Sequence, residues 1–147
     1  KVKHLRDESV RLEHALEHAR GELLKRTRDE LLQRVERVNG VSLLSERVDL
    51  ASDEIKQLAD MIEEKLDAGV VILGSGAGGS VKLVCKVSRS LTDRYDAGRL
   101  IRELTQLVGG GGGGSAQFAE GGGKDPGRLD EALAQGADRV KHQASLD

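Results

Sequence analysis

Two histidines, one cysteine, a run of carboxylates and two stretches of glycine are the groups in this chain whose spacing suggests chemistry. His14 and His18 stand four apart, the interval at which two imidazoles on one helix face grip zinc. No Glu directly follows His14 as in a metalloprotease helix, and no third ligand stands nearby, so the pair reads as a solvated helix face. A nucleophilic thiol needs an activating base and exposure. Cys85 falls on the inward side of an alternating segment and has no second cysteine, which makes it a buried structural thiol. The carboxylates from Glu46 to Asp67 form a charge run on a helix and its flank, with no pair set apart as an acid and a base. Gly74-Ser-Gly-Ala-Gly-Gly79 matches the dinucleotide pattern G-x-G-x-x-G. That pattern holds a pyrophosphate only when a helix starts within it. An alternating strand follows instead, so a hairpin loop is predicted here. No Gly-Lys-Ser/Thr is present to make a Walker loop.

The second glycine stretch runs from Gly109 to Gly123. Gly111–Ser115 spells a common flexible linker, yet a second run, Gly121–Gly123, follows closely and both runs abut helical patterns. Ordering glycine costs entropy, so such a segment points to a positional need for bare backbone. The expectation is an anion-binding turn in which Gly109, Gly110, Gly111, Gly112, Gly113 and Gly114 aim N–H groups at phosphate or carboxylate oxygens. Gly109 would cap the preceding helix, and Gly112→Val or Gly113→Val would strain any residue with positive φ. Arg99, Arg102 and Lys124 are placed to add charge beside it.

Charge is segregated along the chain. The formal net charge is −2, but residues 46–67 carry eight acids against three bases. Residues 82–102 carry Lys82, Lys86, Arg89, Arg94, Arg99 and Arg102 against two acids. A basic band on a near-neutral chain suits contact with a polyanion. Tyr95 and Phe118 are the only aromatic residues, which excludes an RNA-recognition sheet that stacks bases on several rings. Apolar runs are a few residues long, too short for a membrane span, and no secretory signal is read. One cysteine excludes a disulfide framework and suits a reducing, cytoplasmic setting. No nucleophile–base pair, metal set or nucleotide loop survives, so the chain is expected to catalyse nothing by itself.

The elements that position these groups follow from periodicity. Residues 1–38 read as one helical arm with an apolar stripe: Leu12, Leu16, Ala19, Leu23, Thr27, Leu31, Val35 and Val38, extended back by Leu5. The stripe is too narrow to fold alone and needs a partner helix, a second copy in a coiled-coil-like homodimer or another part of a longer parent. The opening on Lys1, inside a charged helical pattern, reads as a segment of such a parent. Asn39-Gly40 would end the arm as a left-handed cap. Beyond it come a strand at Val41–Val48 and a helix capped by Ser52 that buries Ile55, Leu58, Ala59, Ile62 and Leu66 before Gly69. Strands follow at Val70–Leu73 and Val81–Val87, then a helix from Asp96 to Val108. A last helix opens at Asp125-Pro126 and buries Leu129, Leu133, Ala137 and Val140. The fold class is therefore α/β (α+β): residues 39–147 form a layered domain, a central sheet with flanking helices, after the long N-terminal arm.

The stretches Asp96–Ile101, Leu107-Val108 with Gly109–Gly114, Phe118–Asp125 and Leu129–Leu133 together resemble the C-terminal domain of alanyl-tRNA synthetase, a domain also found at the end of DHH phosphoesterases. The resemblance extends back through Asn39-Gly40-Val41, Arg47-Val48-Asp49 and Gly69–Leu73. Between the glycine runs the family usually carries Arg-Pro-Asp-Met/Phe and then Ala-Gln. Here Ser115, Ala116, Gln117, Phe118, Ala119 and Glu120 stand there, which removes one expected anion contact. The resemblance implies a non-catalytic module that binds tRNA at its outer corner and bridges the aminoacylation and editing domains of the parent. It implies no cofactor in this segment, and ATP, magnesium and zinc in upstream regions of the parent. The other family setting implies a terminal substrate-binding domain of a phosphoesterase, and the arm alone implies a helical dimerisation module.

Overall fold

The computed structural model describes the backbone of residues 2–146 and the side chains of residues 7–146. A helix, α1 (Val2–Leu32), leads into a six-stranded sheet: β1 (Glu36–Val38), β2 (Val41–Arg47), β3 (Gly69–Ser75), β4 (Val81–Val87), β5 (Gly111–Gly114) and β6 (Phe118–Gly123). The helices α2 (Ser52–Glu63), α3 (Ala97–Leu107) and α4 (Leu129–Ser145) complete the chain. Strand order is β1-β2-β3-β4-β6-β5, with β2 and β3 parallel and every other neighbouring pair antiparallel.

Period-2 alternation divides the sheet into two apolar faces. Leu43, Val70, Ile72, Leu83, Cys85 and Ala119 meet α3 and α4, whereas Leu44, Val71, Leu73 and Val84 meet α2 and the C-terminal part of α1. Covered on both sides, β3 is buried along its whole length and is apolar apart from its glycines and Ser75. On α2, Ile55, Leu58, Ala59 and Ile62 are fully buried as the periodicity predicts. Each large side chain of that row contributes about 1.5–3 kcal/mol of transfer free energy.

Several boundaries differ from expectation, each for a local reason. The arm's helix stops at Leu32, not at residue 38. Asn39 and Gly40, with φ of 49° and 83°, are not its cap but the turn of a β1–β2 hairpin. Both central residues of such a tight turn need positive φ, which is why Asn-Gly favours it. Val35 and Val38 thus leave the helical stripe, and β1 joins the sheet. On α1, Leu24 and Leu31 dock against α2 and the sheet, while Leu12, Leu16 and Leu23 are exposed. Leu5's side chain lies outside the described residues. The N-cap of α2 is Ala51 and no side chain caps it, so Ser52 opens the helix instead. That helix ends at Glu63, and Gly69 starts β3. Pro126 opens a short 3-10 turn, Pro126–Arg128, ahead of α4. The hairpin expected at Gly74–Gly79 is present, joining β3 to β4.

Candidate nucleic-acid interface

Helix α3 buries Ala97, Gly98, Leu100, Ile101, Leu104 and Thr105, which leaves Arg99 and Arg102 on its solvent side. Its N-terminus is closed. Asp96 accepts the Arg99 N–H at 3.2 Å, and the Ala97 and Gly98 N–H groups donate to the carbonyls of Ala116 and Ser115, both at 3.0 Å. With those donors taken, the first turn of α3 has little left for an anion. Its C-terminus closes on Gly109, whose φ is +72°. The Gly109 N–H donates to Gln106 at 3.4 Å and the Gly110 N–H to Thr105 at 2.9 Å, a Schellman ending. Gly109 therefore has the capping role expected of it.

The rest of the glycine run does not form the expected turn. Gly110, Gly111, Gly112, Gly113 and Gly114 all lack positive φ, and Gly111–Gly114 is the extended edge strand β5, paired with β6. A concave nest requires alternation into the left-handed region, so it is absent here. What these positions require is missing volume. A Cβ on Gly112 would lie 2.5 Å from the Gly121 Cα, 2.6 Å from the Glu120 oxygen and 3.0 Å from Ile101 Cγ2. One on Gly98 would lie 2.9 Å from the Gly114 oxygen. Helix α3 thus packs on the β5–β6 ribbon at backbone distance. Gly111 and Gly113 face the other way: nothing lies within 4 Å of a Cβ on Gly111, and only Arg102 Nη1, at 3.9 Å, approaches one on Gly113. In an antiparallel ladder alternate peptides turn toward the partner strand, so the remaining N–H and C=O groups of β5 point off the sheet edge.

The six cations of the basic band, and Lys124 with them, are not one patch. Lys86 donates to Asp60 at 2.6 Å, with Glu63 at 3.9 Å, and Ser88 ties Glu63 to the Gly69 N–H. Lys82 pairs with Glu120 at 3.4 Å. These two lysines are about three-quarters buried on the α2 side of the sheet; the Lys82 pair joins β4 to β6 and the Lys86 pair joins β4 to α2. Arg89 and Arg94 lie between β4 and α3, with the Arg94 guanidinium over the Tyr95 ring. Arg102 projects from α3 beside β5, its Nη1 3.9 Å from a Cβ on Gly113, while Arg99 lines the cleft between α3 and α4 and Lys124 is exposed just after β6. The side chains of Arg99, Arg102 and Lys124 form no ion pair with another described residue. The arrangement is a bare strand edge with Arg102 beside it, Lys124 just after its partner strand and Arg99 one turn back on α3, an arrangement suited to a phosphate backbone.

Other candidates take clear positions. His14 and His18 are exposed on α1. Cys85 is buried in the sheet, where desolvation, aided by the Asp96 charge, pushes its thiol far above the usual range and keeps it protonated. Two residues have positions that their sequence context does not signal. Arg139 on α4 pairs with Glu103 on α3 at 3.2 Å, and Tyr95 is buried with no hydrogen-bond partner for its hydroxyl among the described residues. Neither has a local signal, because the partners converge only through helix packing.

Residues 40–142 match the DHHA1 domain family. An alanine–tRNA ligase from Exiguobacterium sibiricum is 44% identical over 102 residues, covering 68% of this chain and 12% of that protein. One from Dehalococcoides mccartyi is 35% identical over 135 residues, covering 90% and 16%. The chain thus spans only 12–16% of the length of these curated relatives. Among solved structures, the C-Ala domain from Aquifex aeolicus alanyl-tRNA synthetase superposes with a TM-score of 0.65 at 32% identity, covering 76% of this chain and 97% of that one. An exopolyphosphatase-related protein from Bacteroides fragilis shares the fold, with a TM-score of 0.53 at 12% identity over 83% of this chain and 36% of that one. The chain belongs to the DHHA1 domain family, in the form found as the C-Ala domain of alanyl-tRNA synthetase.

Proposed function

We propose that this chain is the tRNA-binding C-terminal module of an alanine–tRNA ligase, non-catalytic by itself. In that role it holds tRNA at the outer corner and bridges the aminoacylation and editing domains of the parent. The observation that carries the reading is the β5 edge with Arg102 beside it, Arg99 one turn back on α3 and Lys124 just after β6, three exposed cations that form no ion pair with another described residue. Folded RNA is held by shape and phosphate contacts, which a surface poor in aromatic rings can provide. Lys82 and Lys86 drop out of the contact set, because freeing either means breaking an ion pair that anchors the sheet. ATP, magnesium and zinc belong to other regions of the parent, whose setting is the cytoplasm.

The test is a salt titration of tRNA binding to the whole chain. Each phosphate contact releases condensed counterions, so log affinity falls with log salt by about 0.7–0.9 per contact. Substituting both Arg99→Ala and Arg102→Ala is expected to weaken binding and to flatten that slope by up to about two contacts. An unchanged titration removes α3 from the interface. Competition with di- to tetranucleotides separates the phosphoesterase setting: under the synthetase reading intact tRNA wins.

A further inference from the structure

We propose that two copies of this chain pair through α1 as an antiparallel coiled coil, with Leu12 of each against Leu23 of the other. The pairing stands apart from the RNA reading and uses none of its residues.

Helix α1 carries two apolar rows. Leu24 and Leu31 lie on one side and dock against α2 and the sheet. Leu12, Leu16, Ala19 and Leu23 form a second row, turned about 100° from the first at 3.6 residues per turn. Leu12, Leu16 and Leu23 are 69%, 52% and 55% exposed, and every described side chain from residue 7 to residue 20 is exposed. A helical segment without tertiary contacts is marginal in water, so the N-terminal half of α1 calls for something that covers this row. Arg26 and Glu30 continue the same side of the helix and are exposed too, which leaves a clear path for a second helix beside the domain.

The pattern of the row selects the occupant. Its spacing is four, three and four residues, the seam of a heptad repeat. In a two-fold dimer each contact across the axis is made twice, with the roles exchanged. Setting Leu12 against the partner's Leu23 places Leu16 against the partner's Ala19 and brings Glu13 beside the partner's Arg20. Glu13 and Arg20 are exposed and form no ion pair with another described residue. Arg20 borders the groove between α1 and α2 that Asp53 and Glu54 also line, and it pairs with neither. Ser9 and Arg26 face each other as the polar ends of the seam, with Arg26 within reach of the partner's Glu8. Asp29, across from that Glu8, is already held by Arg28 at 3.0 Å. Other arrangements match worse. An antiparallel pair with Leu12 against the partner's Leu16 sets Glu13 against the partner's Glu13. A parallel pair sets Glu8 against the partner's Glu13 and leaves Arg20 opposite the partner's Ala15.

The test is sedimentation equilibrium of the whole chain at low ionic strength, from low to high micromolar concentration. A monomer–dimer equilibrium is expected, with helicity by circular dichroism rising as the dimer forms. Leu16→Lys is expected to weaken association about a hundredfold or more, because each substitution counts twice in a two-fold dimer. Leu16 is exposed in the single chain, so the melting of the dilute domain should match the parent's. Glu13→Arg and Arg20→Glu, each alone, set like charges against each other and are expected to weaken association roughly 3- to 30-fold. An equimolar mixture of these two variants sets opposite charges together at both crossings, and it is expected to recover to within about threefold of the parent. A chain that stays monomeric throughout overturns the proposal and gives the row to another occupant. A dimer that survives Leu16→Lys overturns it by placing the interface elsewhere. Tighter association of Glu13→Arg alone overturns it in favour of a parallel pair, and a mixture no tighter than its components overturns the register.

Discussion

The two glycine stretches look alike in composition and use glycine for opposite reasons. In the β3–β4 connection, Gly78 and Gly79 have φ of +77° and +83°, and nothing lies within 4 Å of a Cβ on either. That connection needs the backbone freedom of glycine and has room for a side chain. In β5 the torsions are extended, and Gly112 has no room for even one carbon. A glycine run is therefore evidence of an unusual backbone requirement without saying which one. The distinction has a functional side. The β3–β4 loop turns on its positive-φ glycines, whereas β5, paired to β6, holds its bare peptide groups at the sheet edge beside Arg102.

The largest effect that separates the two is expected from Gly112→Val. Its neighbours are backbone atoms of β6, which cannot step aside as a side-chain end would. The cost is about 3 kcal/mol or more, at the upper end for overpacking. For a chain of this size that lowers the melting temperature by roughly 6–12 °C. A scanning calorimetry trace like the parent's would mean that Gly112 does not lie this close to β6 and Ile101, and that missing volume is not what β5 requires.

The same distinction explains what was legible in the sequence. Elements that bury one apolar face announced themselves: Ile55, Leu58, Ala59 and Ile62 on α2, and Leu83 and Cys85 against Lys82 and Lys86 on β4. The strands β5 and β6 did not, because glycine has no side chain with which to show a period of two. The β1–β2 hairpin was masked by Val35 and Val38, which continue the helical spacing of the arm up to a dipeptide that also caps helices. For the site, spacing placed Arg99 and Arg102 together outside α3. It could not reveal that Lys86 is held by Asp60, 26 residues away, since that pairing arises from packing α2 across the sheet. Net charge along a segment counts cations, whereas their use depends on which carboxylates the fold brings back to them.

An intermediate effect is expected from Gly78→Ala. No neighbour is struck, so the cost is that of holding an L-residue in the left-handed region, about 1 kcal/mol after the smaller unfolded-state entropy of alanine is counted. The melting temperature is expected to fall by roughly 2–4 °C. Gly78→Asn sharpens the point, because asparagine tolerates positive φ and should recover part of the loss. A larger loss for asparagine than for alanine would show that side-chain volume, and not torsion, sets the cost at this site.

The smallest effect on stability is expected from Gly113→Val, one residue from the most damaging change. The Gly113 Cβ direction is away from α3, its torsions are extended, and only the end of the Arg102 side chain lies nearby. Valine suits an extended strand, so stability should stay within about 0.5 kcal/mol of the parent. An isopropyl group there would nonetheless stand on the outward side of β5, between the strand and the guanidinium of Arg102. If RNA phosphates approach bare backbone at this edge, Gly113→Val must weaken tRNA binding while melting like the parent. Measuring both on the same preparation gives two separable answers. Weaker binding at parent-like stability assigns the surface to the ligand. Parent-like binding moves the RNA off this side of β5 and leaves the glycines with packing as their whole purpose.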